Sequence, residues 1–119
     1  MFTRLKLDQG ISVGTVVYFN TTESNWIQAE DLSTMIGIVR TTPFQAEGDD
    51  FYTAEIQFAG HVYALASRDI PTEGGMLTVE NGGVYATTPQ NQSCGIIAPL
   101  PYNDTSSRAT GSLVLVELR

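Results

Sequence analysis

The hairpin signature that decides the fold class lies in the second half of the chain. Two strand-like runs, Gly75-Met-Leu-Thr-Val-Glu80 and Val84-Tyr-Ala-Thr87, flank the turn Asn81-Gly82-Gly83. Asn-Gly between runs rich in β-branched and aromatic residues is the strongest short signal for a β-hairpin, because both residues tolerate a positive φ. The segment therefore predicts two antiparallel strands joined by a tight turn.

Similar runs recur along the chain and carry the same β signal. Residues 51–58 alternate strictly, with Phe, Thr, Glu and Gln on one face and Tyr, Ala, Ile and Phe on the other, which is typical of a half-buried strand. Ala59-Gly60 predicts a second hairpin, to a strand over residues 61–66. Further strands are predicted over residues 13–20, 26–29, 35–40, 96–98 and 113–118. About nine short strands predict one small all-β domain, a barrel or a sandwich.

Two parts of the chain resemble each other weakly. The first contains Gly14-Thr-Val-Val-Tyr-Phe-Asn, Trp26-Ile-Gln-Ala and Ile36-Gly-Ile-Val, and the second contains Gly75-Met-Leu-Thr-Val-Glu, Val84-Tyr-Ala and Cys94-Gly-Ile-Ile-Ala. The offset is 61 residues from Gly14 to Gly75 and 58 from Gly37 to Gly95. Two similar β units that close one barrel fit this pattern, and so do the chance echoes of any β domain. The sequence leaves both explanations open.

Composition and charge exclude several classes of function. The 119 residues include 6 basic and 13 acidic side chains, a net charge of −7, which disfavours binding to nucleic acid or to an anionic membrane. The charge is uneven, because Arg4 and Lys6 precede a remainder of −9 from Asp8 onward. One Cys excludes an internal disulfide and a thiolate zinc cluster. No signal peptide or membrane span is recognisable, so we expect synthesis in the cytoplasm.

Catalytic and metal-binding patterns are weak. Cys94 and His61 could form a nucleophile and its base, but Cys94 begins an apolar strand, where Cys is usually a small buried hydrophobe. The acidic run over residues 47–50 lacks the ligand spacing of an EF-hand loop. We therefore expect no enzymatic activity, no cofactor and no bound metal.

The order of the motifs resembles that of the small all-β capsid decoration (cement) proteins of tailed bacteriophages. The resemblance covers residues 13–119 and depends on the runs quoted above, together with Ile70-Pro-Thr-Glu-Gly-Gly-Met-Leu77 and Gly111-Ser-Leu-Val-Leu-Val-Glu-Leu118. It implies a tulip-like barrel and a non-enzymatic role on the virion surface. Copies, as homotrimers, would clamp neighbouring major capsid protein subunits, without nucleic acid or membrane as partners.

The resemblance also directs attention to the N-terminus. Residues 1–12 are either an extended arm that adds a strand to a shell subunit or the first strand of the domain itself. In an arm, Phe2, Leu5 and Leu7 would supply apolar anchors, and Arg4 and Lys6 would pair with shell carboxylates.

Contacts between copies are expected at large aromatic residues and long loops. The aromatic candidates are Trp26, Phe44 and Tyr102, and the long loops cover residues 40–50 and 99–108. Two alternatives to capsid binding remain at this point. One is a trimeric β module of a phage tail fibre or baseplate, and the other is a small hydrolase that uses His61, Cys94 or two carboxylates.

Overall fold

The protein is an all-β molecule, as the sequence predicts. The computed structural model describes the backbone of residues 2–8, 10–31, 36–70, 75–86, 96–98 and 109–118, and within these ranges it contains no helix. The strands are β1 (Phe2–Leu7), β2 (Val16–Asn20), β3 (Asn25–Gln28), β4 (Ile36–Val39), β5 (Tyr52–Gln57), β6 (Gly60–Leu65), β7 (Gly75–Glu80), β8 (Gly83–Ala86), β9 (Ile96–Ala98) and β10 (Leu113–Leu118).

The ten strands form two five-stranded units with the same strand order. The first unit is a closed barrel in the order β1-β3-β2-β4-β5, and the second is a sheet in the order β6-β10-β9-β7-β8. When β1 to β5 are matched in turn to β6 to β10, every neighbouring pair in one unit has a counterpart in the other. The parallel bridge between Leu7 and Trp26, which closes the barrel, corresponds to the parallel bridge between Ala66 and Val84.

The residue register shows that the internal repeat is real. The shift is the difference in residue number between matched positions of the two units. The two parallel bridges give a shift of 59 for β1 (Leu7 to Ala66) and 58 for β3 (Trp26 to Val84). The antiparallel ladders then give shifts of 60 for β2, 59 for β4 and 60 for β5. The remaining ladder tests these shifts: paired residue numbers add to 59 between β1 and β5 and to 178 between β6 and β10, and the difference of 119 equals 59 for β1 plus 60 for β5. A chance echo would not be expected to agree in this way. The structure corrects the sequence alignment in β4 by one residue, because Gly37 matches Ile96 and not Gly95.

One predicted hairpin is confirmed and the other is wrong. Asn81 (φ 48°) and Gly82 (φ 79°) form the turn between β7 and β8, whose ladder runs to Glu80 opposite Gly83. The strands on either side of Ala59-Gly60 do not pair, since β5 lies between β1 and β4 whereas β6 pairs with β10. Both edges of β5 are already occupied, so the turn passes the chain to the other unit.

Among the described residues, the buried hydrophobic side chains form two clusters. One lies inside the first barrel, and the other fills the second unit and includes Val16, Ala29 and Ile38 from the first. Strands β2 and β4 are therefore buried on both faces, which explains the uninterrupted apolar pairs at residues 16–17 and 38–39. Backbone hydrogen bonds also join the units. The N–H of Gly82 donates to the carbonyl of Ala29 (2.6 Å), and the N–H of Leu65 donates to the carbonyl of Gly14 (2.9 Å).

Candidate interaction surface

Residues 2–7 are the first strand of the first unit in this structure. Strand β1 pairs with β5 along its full length, from Phe2 opposite Gln57 to Leu7 opposite Tyr52. The side chain of Leu7 is 2% exposed, and Leu5 is half-buried against the same cluster. Leu7 therefore stabilises the barrel and Leu5 does so in part, while contact of either side chain with a capsid subunit stays a prediction.

The basic part of β1 differs from its apolar part. Lys6 is exposed, and its Nζ lies 5.2 Å from the centre of the Phe51 ring. A cation over an aromatic face at an exposed site is a weak attraction, so the ammonium group stays accessible to a partner carboxylate. The side chains of Phe2 and Arg4 lie outside the described part of the structure, and the backbone of both belongs to β1.

Strand β1 leaves part of one edge open. The N–H of Asp8 donates to the carbonyl of Trp26 (3.0 Å), so even-numbered backbone groups of β1 face β3 and odd-numbered ones face β5. Strand β3 meets β1 at the bridge between Leu7 and Trp26. Among the described residues, no strand pairs with the outward-facing N–H and C=O groups of Phe2 and Arg4.

Strand β6 leaves the corresponding edge open in the second unit. The N–H of Ala66 donates to the carbonyl of Ser112 (2.9 Å), on the side of β10, and the N–H of Leu65 donates to the carbonyl of Gly14 (2.9 Å), on the opposite side. Because backbone groups alternate along a strand, the odd-numbered N–H and C=O groups of β6 face away from β10. The carbonyl of His61 accepts from the Gln57 side chain (2.7 Å), whereas no strand in the described ranges pairs with Tyr63 on this side. The shift of 59 residues matches His61 and Tyr63 to Phe2 and Arg4. The open edges thus repeat with the fold.

The aromatic residues predicted to contact other copies lie in different environments. Trp26 is 7% exposed and packs between Phe19 and Phe58, with ring centres 5.6 and 5.3 Å away. The indole belongs to the core of one chain, and its contact with another copy stays a prediction. Phe44 is 49% exposed, on the loop between β4 and β5. Tyr102 lies outside the described residues.

Two groups of polar contacts around Arg68 and Asp69 were not predicted from the sequence. Arg68 and Glu80 form a two-pronged ion pair (2.7 and 2.9 Å), and the Arg68 guanidinium lies 4.2 Å from the centre of the Tyr85 ring. Asp69 accepts hydrogen bonds from the backbone N–H and hydroxyl of Thr110 (2.8 and 3.0 Å). The partners are 12 and 41 residues apart, so no local sequence pattern reveals them.

These contacts make stability depend on acid. Hydrogen bonds from Thr110 lower the pKa of Asp69, and the hydrogen bond from Arg68 lowers that of Glu80. A carboxyl group with a depressed folded-state pKa stabilises the fold above its unfolded pKa, about 4, and this contribution is lost as the pH falls through the folded value. We expect the urea midpoint to fall less between pH 6 and pH 3 (about 1.7 units above and about 1.3 units below the unfolded Glu pKa of about 4.3) in the Asp69→Asn/Glu80→Gln variant than in the wild type.

The control for this acid dependence is Asp31→Asn, which removes one carboxylate from an exposed position. It should keep the wild-type difference between the two urea midpoints. An equally large fall in the double variant and in the wild type would contradict the assignment of the acid dependence to these two carboxyl groups.

The structure describes only some of the residues considered for catalysis or metal binding. His61 is exposed, with its Nε2 3.4 Å from a carboxylate oxygen of Glu117, and Cys94 lies outside the described part, so the structure does not test the proposed dyad. Where the structure is described, no three His, Cys, Asp or Glu side chains are grouped to hold a metal ion. No helix in the same ranges is long and apolar enough to cross a membrane.

Comparisons with known proteins identify no relative of this chain. No family model, no curated protein and no solved structure matches the chain.

Proposed function

We propose that this chain is a non-enzymatic structural protein of a phage virion. It binds the outer surface of the capsid and stabilises the shell by clamping neighbouring major capsid protein subunits. The observation that carries the proposal is the open edge of β1, where the outward backbone groups of Phe2 and Arg4, which pair with no strand of the described ranges, lie beside the exposed side chain of Lys6.

Strand addition is the mode of binding that this edge supports. An extended segment of a capsid subunit would pair with the outward N–H and C=O groups of Phe2 and Arg4, which supply backbone hydrogen bonds without a preformed pocket. Arg4 and Lys6 would attract carboxylates of that segment, whereas the remainder of the chain, at −9, would be repelled by them. Because β1 is part of the barrel, the capsid subunit provides the added strand. A free N-terminal arm would instead add a strand of this chain to the capsid subunit.

Contacts between copies are proposed at the two long loops. The loop over residues 40–50 joins β4 to β5, and its counterpart over residues 99–108 lies between β9 and β10, the matching strands of the second unit. The exposed Phe44 ring on the first loop, and Tyr102 within the second segment, are the aromatic groups proposed to contact neighbouring copies. Contacts that are individually weak become strong when many copies cover one lattice.

Co-sedimentation with expanded heads of the parent phage tests the proposal. We expect the wild-type protein to sediment with the heads and Arg4→Pro to bind about tenfold more weakly. Proline removes the outward N–H of residue 4 without removing a bond to β5. Arg4→Gln keeps this N–H and removes the charge, so its loss should be smaller and should vanish at high salt.

Two results would contradict capsid binding. One is a wild-type protein that fails to sediment with the heads at saturating concentration. The other is a stable trimer in solution with no affinity for heads, which would favour the tail-fibre or baseplate alternative. Normal sedimentation of Arg4→Pro would reject the β1 edge and leave capsid binding through another surface.

A further inference from the structure

A groove of about 580 Å³ lies where the two units meet, beside the open edge of β6. Its volume falls within the range of about 300–1,000 Å³ that is usual for ligand sites in proteins. Four consecutive residues of β6, from Gly60 to Tyr63, form one wall. The remaining lining residues belong to the N-terminal half or to β10: Val13, Arg40, Gln57, Ala59 and Leu113.

The charge of the groove is opposite to that of the molecule. The chain has 13 acidic and 6 basic residues, yet the described residues that line this groove include Arg40 and no acidic side chain. The His61 imidazole also lines it, with its Nε2 3.4 Å from a carboxylate oxygen of Glu117. The groove would therefore attract a negatively charged ligand, while most of the surface repels one.

The shape of the groove favours an extended chain. The N–H and C=O of Tyr63 face away from β10 and have no strand partner among the described residues, so they can bind another backbone. Exposed apolar surface adjoins this edge, because the side chains of Tyr63 and Leu113 are 56% and 43% exposed. An apolar side chain of a bound segment would cover it.

We propose that this groove binds an extended, acidic peptide segment of another protein, which adds to β6 as a strand. Its backbone pairs with Tyr63, an apolar side chain covers Tyr63 and Leu113, and a carboxylate lies near Arg40. Strand β1 of a second copy is a poor occupant, since it would bring Arg4 and Lys6 to a groove that is already basic. The proposal does not depend on the capsid role.

NMR titration with synthetic peptides tests the site directly. The probe is an acetylated and amidated hexapeptide, Val-Thr-Leu-Val-Asp-Asp, added to the full-length protein. We expect the amide signals of His61 and Tyr63 to shift most. A matched peptide with Lys in place of both Asp residues should bind at least about tenfold more weakly at low salt. A third peptide with alternate amides methylated, which cannot form the backbone bonds, should not bind.

Protein variants separate the backbone from the charge. Tyr63→Pro removes the outward N–H and should abolish binding, and Tyr63→Ala keeps it and should bind severalfold more weakly. Arg40→Gln should weaken binding of the acidic peptide, while Arg68→Gln, which removes one positive charge away from both the groove and the β1 edge, should not. If Tyr63→Pro fails to fold, the methylated peptide decides the same question.

The proposal is overturned if the acidic peptide leaves the signals of β6 unchanged up to about 1 mM, the weak end of the usual affinity scale. It is also overturned if the methylated or the Lys peptide binds equally well. Binding of the acidic peptide together with failure to sediment with phage heads would support this site and reject the capsid role. Each proposal can therefore fail by itself.

Discussion

Replacement of Trp26 by alanine is expected to lower the free energy of unfolding by about 3–5 kcal/mol, the usual cost of truncating a large buried aromatic residue. The indole is 7% exposed and contacts the rings of Phe19 and Phe58 inside the first barrel. Trp26 also forms the bridge to Leu7 that closes this barrel. The loss should therefore appear in the monomer, as a lower urea midpoint that does not depend on protein concentration.

Phe44→Ala is the matched control, because that ring is 49% exposed. Its effect on the free energy of unfolding should stay within about 1 kcal/mol. If Trp26→Ala were as stable as the wild type and only its self-association changed, Trp26 would lie at a contact between copies and the placement of the indole in the core would be wrong.

Replacement of Gly14 by alanine should have the second largest effect, about 3 kcal/mol. Gly14 has φ +88°, and an added Cβ would lie 2.4 Å from Cδ2 of Leu113 and 3.2 Å from the backbone N of Leu65. The carbonyl of Gly14 also accepts the hydrogen bond from Leu65 that joins the two units. Rotation of the Leu113 side chain can relieve the first contact, but the backbone at Leu65 must move by a few tenths of an ångström and the positive φ remains strained, so thermal unfolding should shift to lower temperature.

Gly48→Ala separates the clash from the backbone conformation. Gly48 has φ +89°, almost the value of Gly14, but an added Cβ meets no atom within 4 Å. It should cost about 1 kcal/mol, from backbone strain alone. Equal losses in the two variants would show that the close approach of Gly14 to β6 and β10 does not exist in solution.

Local patterns predicted the elements that depend on local chemistry. The Asn81-Gly82 turn and the alternation of β5, with Ala54 and Ile56 fully buried, follow directly from side-chain size and backbone freedom. The internal repeat was visible as an echo but open to chance. It needed the register of the ladders, which joins residues far apart in the sequence, to be established.

Features set by distant pairing were missed or left undecided. The sequence does not show that both edges of β5 are occupied by β1 and β4. The prediction of a hairpin at Ala59-Gly60 is therefore wrong, because β5 has no edge left to pair with β6. The sequence could not distinguish an arm from a strand at residues 1–12, since the partner strand, β5, lies about fifty residues away. The open edges of β1 and β6 could not be predicted for the same reason, because an edge is open only where the neighbouring strand, distant in the sequence, ends before it.

The central claim is that each unit keeps one strand edge open for a partner, and amide hydrogen exchange measured by NMR tests it most directly. The account predicts slow exchange for Leu5, whose N–H faces β5, and rapid exchange for its neighbour Arg4. In β6 it predicts slow exchange for Val62 and Ala64 and rapid exchange for Tyr63, which lies between them. Equal protection of Arg4 and Tyr63 with their neighbours would show that both edges are already paired, and would contradict the account.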